Sequence, residues 1–225
     1  GIKLIDTEYI ARMDSDDYSM PERLKLQLKY IENSGNDLIG CSLIKVFKGK
    51  NYSMEFGHII SDEKYIKNKT KYNVPLAHPT FFGKTELFKN VLYNENLIYS
   101  QDYDFIARSL HYGYKLGNLD LPLLIYSCSN TPNKIKVLTQ MHISNLVSEQ
   151  YRKTLKNKNY KYQEIGKLNI NMNLLEESLL SLREFSLNRN YKFIKYLSFS
   201  IYLFFSFFSK IQITFNLRNF LAKIL

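Results

Sequence analysis

The sequence predicts an α/β fold, and three observations carry that expectation. A short apolar run, Tyr9-Ile10-Ala11, reads as a buried strand and leads at once into an acidic loop and a helix start at Pro21. A second stretch, 37–47, is rich in Leu, Ile and Val, follows the helix after Gly35-Asn36, and reads as another strand. Hydrophobic residues make up 45% of the 225 positions, which suits one domain with a real core plus an appendage and excludes a disordered chain.

The elements follow in order. The first strand is expected over 9–13, with Asp14 at its carboxyl end and Asp16 and Asp17 in the loop beyond. Residues 21–32 read as a helix with Leu24, Leu28 and Ile31 on one apolar face. The strand over 37–47 has a candidate bend at Gly40, and 49–57 reads as a turn or loop. The polar, Lys-rich stretch 62–72 reads as a surface helix or loop. Two prolines confine 74–82 to a loop and a short strand. Helices are expected over 85–92 and 104–112, with Gly113 closing the second. Two strands, 115–119 and 121–126, precede a helix over 133–153 that starts after Pro132. A second helical pattern, 174–187, comes after a polar linker.

Two acidic clusters stand out. Asp14, Asp16 and Asp17 place three carboxylates within four positions, where like charges repel unless something positive neutralises them. A hard divalent cation does this with oxygen ligands, and a solvated acidic turn before a helix is the plainer alternative. In open α/β sheets ligands bind at the carboxyl ends of strands, which is where these acids fall. The second cluster is Ser100-Gln101-Asp102-Tyr103-Asp104, with Arg108 one turn further on. Asp102 there suits either a helix amino end or a chemical role. Arg108 pairs with Asp104 or with a phosphate. His78, in Leu76-Ala77-His78-Pro79-Thr80, is a structural hydrogen-bonding residue or a site residue. Arg12 packs near the acids, as their ion-pair partner or facing a ligand.

Charge is uneven along the chain. Residues 1–150 carry 18 Lys and Arg against 17 Asp and Glu, whereas 151–225 carry 13 against 4. The stretch 196–209 has no charged residue and many aromatics, and Lys192, Lys195 and Lys210 flank it. At 14 residues it falls short of the roughly 20 that span a bilayer. It reads as an interfacial segment on an anionic membrane, or as a helix packed on the domain. Its aromatics form one block instead of alternating with Lys and Arg, which argues against nucleic-acid binding. Cys41 and Cys128 lack metal-ligand spacing and form no disulfide framework. Cys41 reads as a core residue, and a reducing cytoplasm is the expected compartment.

The stretch from Tyr9 to Gln27, with Ala11-Arg12-Met13-Asp14-Ser15-Asp16-Asp17 and Pro21-Glu22-Arg23-Leu24, resembles the DxD region of family 2 glycosyltransferases. It is most similar to the bacterial enzymes that build surface polysaccharide and lipopolysaccharide. The resemblance implies a GT-A-like fold, a mixed sheet flanked by helices. It implies a divalent metal, Mn or Mg, on Asp14 and Asp16, holding the diphosphate of a nucleotide-sugar donor. The 101–104 stretch resembles the family's Glu-Asp-x-Asp element, which makes Asp102 the catalytic base, with Gln101 in place of the Glu. Arg12, Asp17, His78, Asp104 and Arg108 are then candidate contacts to donor or acceptor. The implied reaction is inverting transfer to a glycan or lipid-linked acceptor in cell-surface polysaccharide synthesis.

The resemblance covers about 1–130. The family's leading strands and nucleotide-base pocket precede the DxD region, so a GT-A domain truncated at its amino end is expected, with a separate amino-terminal half as a partner. An inactive remnant acting as a membrane-associated binding protein is the alternative. The expected organisation is a partial GT-A domain over 1–130, a helical extension over 131–190 and an aromatic, basic membrane-interface tail over 191–225. The expected location is cytoplasmic, peripheral on the inner face of the cell membrane.

Overall fold

A computed structural model describes residues 1–47, 53–57, 63–128, 134–157 and 159–167. The elements are β1 (Tyr9–Ala11), β2 (Tyr18–Ser19), α1 (Arg23–Ser34), β3 (Leu38–Phe47), β4 (Ser53–Gly57), α2 (Glu63–Thr70), β5 (Phe82–Lys84), α3 (Thr85–Val91), α4 (Gln101–His111), β6 (Leu116–Cys128) and α5 (Lys134–Lys156). The helix expected over 174–187 and the tail over 191–225 lie outside the described residues. Among the described residues no helix is long and apolar enough to cross a membrane.

The strands form one mixed sheet in the order β1-β5-β3-β6-β2, with β4 also paired to β3. β3 and β6 are parallel. β5 is antiparallel to β3, and β1 is antiparallel to β5, so β1, β3 and β6 point the same way. Their carboxyl ends therefore share one end of the sheet. β2 is antiparallel to the last part of β6, through Tyr18 opposite Ile125, and this seats the acidic loop beside the end of β6.

Several elements differ from the sequence expectation. The helix expected from Pro21 begins at Arg23, and its buried positions are Arg23, Gln27 and Ile31. Leu24 and Leu28 face solvent, at 54% and 37% exposure. Hydrophobic periodicity missed this face because Arg23 and Gln27 find backbone carbonyls to bond, and a buried polar group with partners is not penalised. The stretch 49–57, read as a loop, contributes β4, paired with Leu43 to Phe47 of β3. The two strands read over 115–126 are one, β6, with register shifts against β3 around Ser42. Pro122, which has no N–H to donate, sits at that irregularity and does not end the strand.

Gly40 has a packing role: a Cβ there would come within 2.7 Å of Asn118 Oδ1 and 3.0 Å of Thr80 Oγ1. The main core joins Leu38, Phe81, Phe88 and Phe105 to Val147 and Tyr151 of α5. Tyr162 and Ile165, beyond α5, pack into the same core. Every residue from Tyr103 to Leu110 is buried, which makes α4 the central helix. Cys41 is buried as expected, and burial pushes its thiol up to about 11.

Candidate active site

A cleft of about 360 Å³ opens at the carboxyl ends of the parallel strands. Leu43 and Lys45 of β3, Tyr126 of β6, Asp14, His78 and Asp102 line it. It thus joins the first acidic loop, the His-Pro-Thr turn and the start of α4.

On the acidic side, Arg12 donates from both terminal nitrogens to the Asp14 carboxylate, with Nη1 to Oδ2 at 3.0 Å. Both Asp14 oxygens are therefore engaged by a guanidinium. Asp16 is exposed. Asp17 accepts the Ser127 amide on Oδ1 at 3.1 Å, which ties the acidic loop to the end of β6. Its Oδ2 is buried and has no hydrogen-bond partner among the described residues. Burial raises the Asp17 carboxyl above its ordinary value, the Ser127 amide opposes this, and the neighbouring Asp14 and Asp16 charges add to it. Burial also raises the Tyr126 phenol, followed by Cys128 and then the charges of Asp14, Asp17 and Asp16.

The floor of the site is held by residues that the sequence reading left unremarked. Arg23 Nε donates to Gln27 Oε1 at 2.9 Å, and Nη2 donates to the carbonyls of Arg12 (2.7 Å) and Pro79 (3.0 Å). Gln27 Nε2 donates to the Thr80 carbonyl at 2.8 Å. The Arg12 amide in turn donates to the Phe81 carbonyl at 2.8 Å. Thr80 Oγ1 donates to the Ala77 carbonyl and accepts the Cys41 amide at 3.1 Å. These bonds lock the DxD strand end, the His78–Thr80 turn and β3 together. Burial pulls the Arg23 guanidinium below its ordinary value, Cys41 and the Asp17 charge oppose this, and the Arg12 charge adds to it. The one available signal was the polar pair Arg23/Gln27 at i, i+4 beside the acidic loop, which a hydrophobic pattern discards.

On the opposite side, α4 starts after Ser100, which adopts a left-handed conformation (φ 58°, ψ 25°). Its hydroxyl meets the Gln140 carbonyl (3.2 Å) and Ser144 Oγ (2.8 Å) of α5. Such strain in a non-glycine residue persists where surroundings enforce it, often at functional sites. Gln101 reaches back to the Leu97 carbonyl at 2.7 Å and leaves Asp102 facing the cleft. Burial raises the Asp102 carboxyl, and the amides of Tyr103 and Asp102 itself, then the Arg12 charge, oppose this.

His78 Nε2 lies 2.9 Å from the Tyr93 hydroxyl. Burial, followed by the Arg12 charge, pushes the imidazole down to about 3, so it is neutral at physiological pH. Burial also raises the Tyr93 phenol, with a smaller upward contribution from Asp102 and a downward one from Arg12. The Arg12 charge thus acts on both walls of the cleft.

Asp104 and Arg108, candidate contacts in the sequence reading, do not line the cleft. They form a fully buried ion pair, with Arg108 Nη2 2.7 Å from Asp104 Oδ2. Arg108 also donates to the carbonyls of Val91 and Leu92, and Tyr162 Oη donates to Asp104 Oδ1 at 3.0 Å. Of the two sequence alternatives for Arg108, pairing with Asp104 is the one the structure shows. The pair fastens α4 to the end of α3, where Leu92 has φ 51°. Burial raises the Asp104 carboxyl, and Arg108 and Tyr162 oppose this.

Residues 1–92 match the sequence profile described as Glycosyl transferase family 2. An uncharacterized glycosyltransferase of Methanocaldococcus jannaschii is 35% identical over 138 residues, 59% of this chain and 46% of that protein. The O-antigen biosynthesis glycosyltransferase WbnJ of Escherichia coli is 32% identical over 129 residues, 54% of this chain and 48% of that protein. The bifunctional glycosyltransferase pgtA of Dictyostelium discoideum is 29% identical over 212 residues, 79% of this chain and 26% of that protein. The chain thus spans under half the length of each of these relatives. In fold it is similar to the crystal structure of S. aureus TarS, with a TM-score of 0.51 at 15% identity, covering 96% of this chain and 40% of that one. The profile match takes in the acidic loop and the His78–Thr80 turn, so this part of the cleft lies within the stretch that is similar to family 2 glycosyltransferases.

Proposed function

We propose that the cleft transfers a sugar from a nucleotide-sugar to a hydroxyl of a glycan or lipid-linked acceptor, with inversion at the anomeric carbon. The observation that carries this reading is the juxtaposition of Asp14 and Asp102 on one cleft, in a chain whose residues 1–92 match the family 2 glycosyltransferase profile. Asp102 accepts the proton of the acceptor hydroxyl as that oxygen bonds to the anomeric carbon. The bond from that carbon to the diphosphate oxygen breaks, and its electron pair leaves on the diphosphate. A carboxyl raised by burial is a better base than an ordinary aspartate, since general-base efficiency rises as the pKa nears the working pH.

Among the described residues no group of three or more potential metal ligands is gathered, so a divalent metal here would rest on one or two carboxylates together with the donor's diphosphate. Asp14 and Asp16 supply hard oxygens, and the partnerless Asp17 Oδ2 lies in the same loop. A magnesium-type site needs only one or two carboxylates when substrate phosphates complete it. Such an ion would stabilise the charge that develops on the leaving diphosphate. Asp14 is held by Arg12, so Arg12 has to release it. The freed guanidinium then suits the diphosphate, for which it is geometrically matched. His78, neutral and bonded to Tyr93, offers an uncharged hydrogen bond to a sugar hydroxyl.

The test is a titration of the full-length protein with a nucleoside diphosphate, with and without manganese. Binding should tighten with the metal, and Asp16→Asn should remove that gain. Equal binding in both conditions would sink the metal and donor assignment.

The location we propose, cytoplasmic and peripheral on the inner face of the cell membrane, rests on charge placement in the sequence. Residues 191–225 combine a basic balance with an uncharged aromatic block, which supports attachment to the interface of an anionic membrane.

A further inference from the structure

A second groove, of about 750 Å³, lies between α2 and the last turns of α5. Five cations line it, Lys64, Lys67, Lys71, Arg152 and Lys156, against one acid, Glu63. Glu63 neutralises Lys67 at 2.6 Å. Lys71, just past α2, donates to Asn68 Oδ1 at 2.8 Å, and Arg152 and Lys156 come from α5 some 80 positions away, so cations stand on both walls of one concavity. The walls are fixed to each other, because Ser148 Oγ of α5 donates to the Lys71 carbonyl at 2.6 Å. Arg152 Nε donates to the Ser148 carbonyl at 3.3 Å, which orients its guanidinium. Tyr72 and Leu155 add apolar surface.

Like charges gathered around a concavity focus a positive potential and attract a compact anion. A single basic helix face would spread its charges over a convex surface, whereas here two helices bring them to one hollow. The volume is that of a small-ligand site, roughly 300–1,000 Å³. A membrane surface, being broad and flat, would not need such a hollow.

The groove adjoins the cleft in two ways. Tyr72 lines the groove and Val74 lines the cleft, two residues apart, which is at most about 7 Å along the backbone. Ser144 of α5 bonds Ser100 at the cleft, and Arg152 follows eight residues later, about 12 Å along the helix. A molecule of a few sugar or polyol units covers that reach.

We propose that the groove between α2 and α5 binds a phosphate or diphosphate group carried by the acceptor, so that the acceptor lies across 72–74 with its reacting hydroxyl at Asp102. This inference rests on reading the cleft as the transfer site, but the groove can be tested without transfer.

The experiment is calorimetric titration of the full chain with inorganic pyrophosphate, for the wild type and for Arg152→Ala/Lys156→Ala. Circular dichroism confirms the fold of the variant, and the single exposed change Lys156→Glu serves as a second variant. Loss of two charge-assisted contacts should weaken pyrophosphate binding about tenfold or more. Nucleoside diphosphate binding with manganese should stay unchanged in both variants. Two further arms give the source of the phosphate: a polyprenyl diphosphate in neutral detergent micelles, and a soluble glycerol phosphate oligomer. Whichever the wild type binds and the variants lose is the acceptor class. Equal pyrophosphate binding in wild type and variants, or none in either, overturns the proposal. Loss of anionic-vesicle binding alone, with no pyrophosphate binding in the wild type, also overturns it and makes the groove a membrane contact. Failure of nucleotide binding with groove binding intact would instead count against the transfer reading.

Discussion

Replacing Arg23 with methionine tests how the floor of the cleft is held. The side chain is 1% exposed and makes three hydrogen bonds, to Gln27 Oε1 and to the carbonyls of Arg12 and Pro79. Methionine fills much of the same space but donates nothing. Two backbone carbonyls and one amide oxygen then lose their donor, and each buried unsatisfied group costs about 1–3 kcal/mol. An opposing effect is real: the guanidinium is buried without a carboxylate, and removing it recovers desolvation free energy. Two fully orphaned carbonyls cost about 2–6 kcal/mol, and taking that recovery as about 1–2 kcal/mol leaves a net loss of about 1–4 kcal/mol.

For a chain of this size that lowers the melting temperature by roughly 2–16 °C. Thermal denaturation followed by circular dichroism measures it. The Arg12 carbonyl and the His78–Thr80 turn share this anchor, so nucleoside diphosphate binding should weaken in the folded variant as well. Lysine at position 23 should recover only part of the loss, because an ammonium cannot reproduce the planar fork. A methionine variant that melts within 2 °C of wild type, or above it, would show that burying the charge costs as much as its bonds return.

Asp102→Asn should cut turnover by roughly 10²–10⁴-fold and leave nucleoside diphosphate affinity nearly intact; loss of affinity without loss of turnover would make Asp102 a helix cap. The same change should stabilise the fold at neutral pH. Its folded pKa lies above the unfolded value, so its contribution is favourable below the unfolded pKa and is lost as pH rises through the folded one. Equal melting of wild type and variant at pH 7 would refute that.

The His78 imidazole, pushed down to about 3, should show a flat proton shift between pH 5 and 8 in NMR, and a midpoint near 6.5 would disprove its burial as a neutral ring. Its contribution to stability is present above the unfolded histidine pKa and is lost as pH falls toward 3. For the tail, deleting 191–225 should leave a protein that ignores anionic vesicles, while the intact chain is released partly by high salt and fully by detergent. An intact chain that stays in the soluble fraction at low salt would contradict the membrane reading.

Much of this architecture is legible in the sequence because its signals are local. The alternation of apolar runs with turn residues placed β1, α3, α4 and α5 close to where they lie, and the acids fell at strand and helix ends as expected. What stayed hidden depended on partners far along the chain. The inward face of α1 is polar because Arg23 and Gln27 meet carbonyls more than fifty residues away, and no periodicity records that. The stretch containing β4 places Met54 and Phe56 among glycines and polar residues, and it pairs as a strand because β3 offers it an edge. The pairing of Arg108 with Asp104 was an open choice in the sequence, since an i, i+4 spacing permits it without requiring it.

The acidic loop is moored to Ser127 across 110 positions, and the strand end beside it to Pro79 across 56 from Arg23. No short stretch of the polypeptide therefore contains even half of the cleft in a folded form. Loop closure over such separations has to precede any return from the contacts, so this region belongs to the slow, non-local part of folding. Helices such as α4 and α5 can form early, while the cleft waits until β6 has docked against β3 and brought Ser127 to the loop. A chain released during synthesis before that strand emerges would hold both halves of its DxD sequence and none of the geometry that gives it meaning.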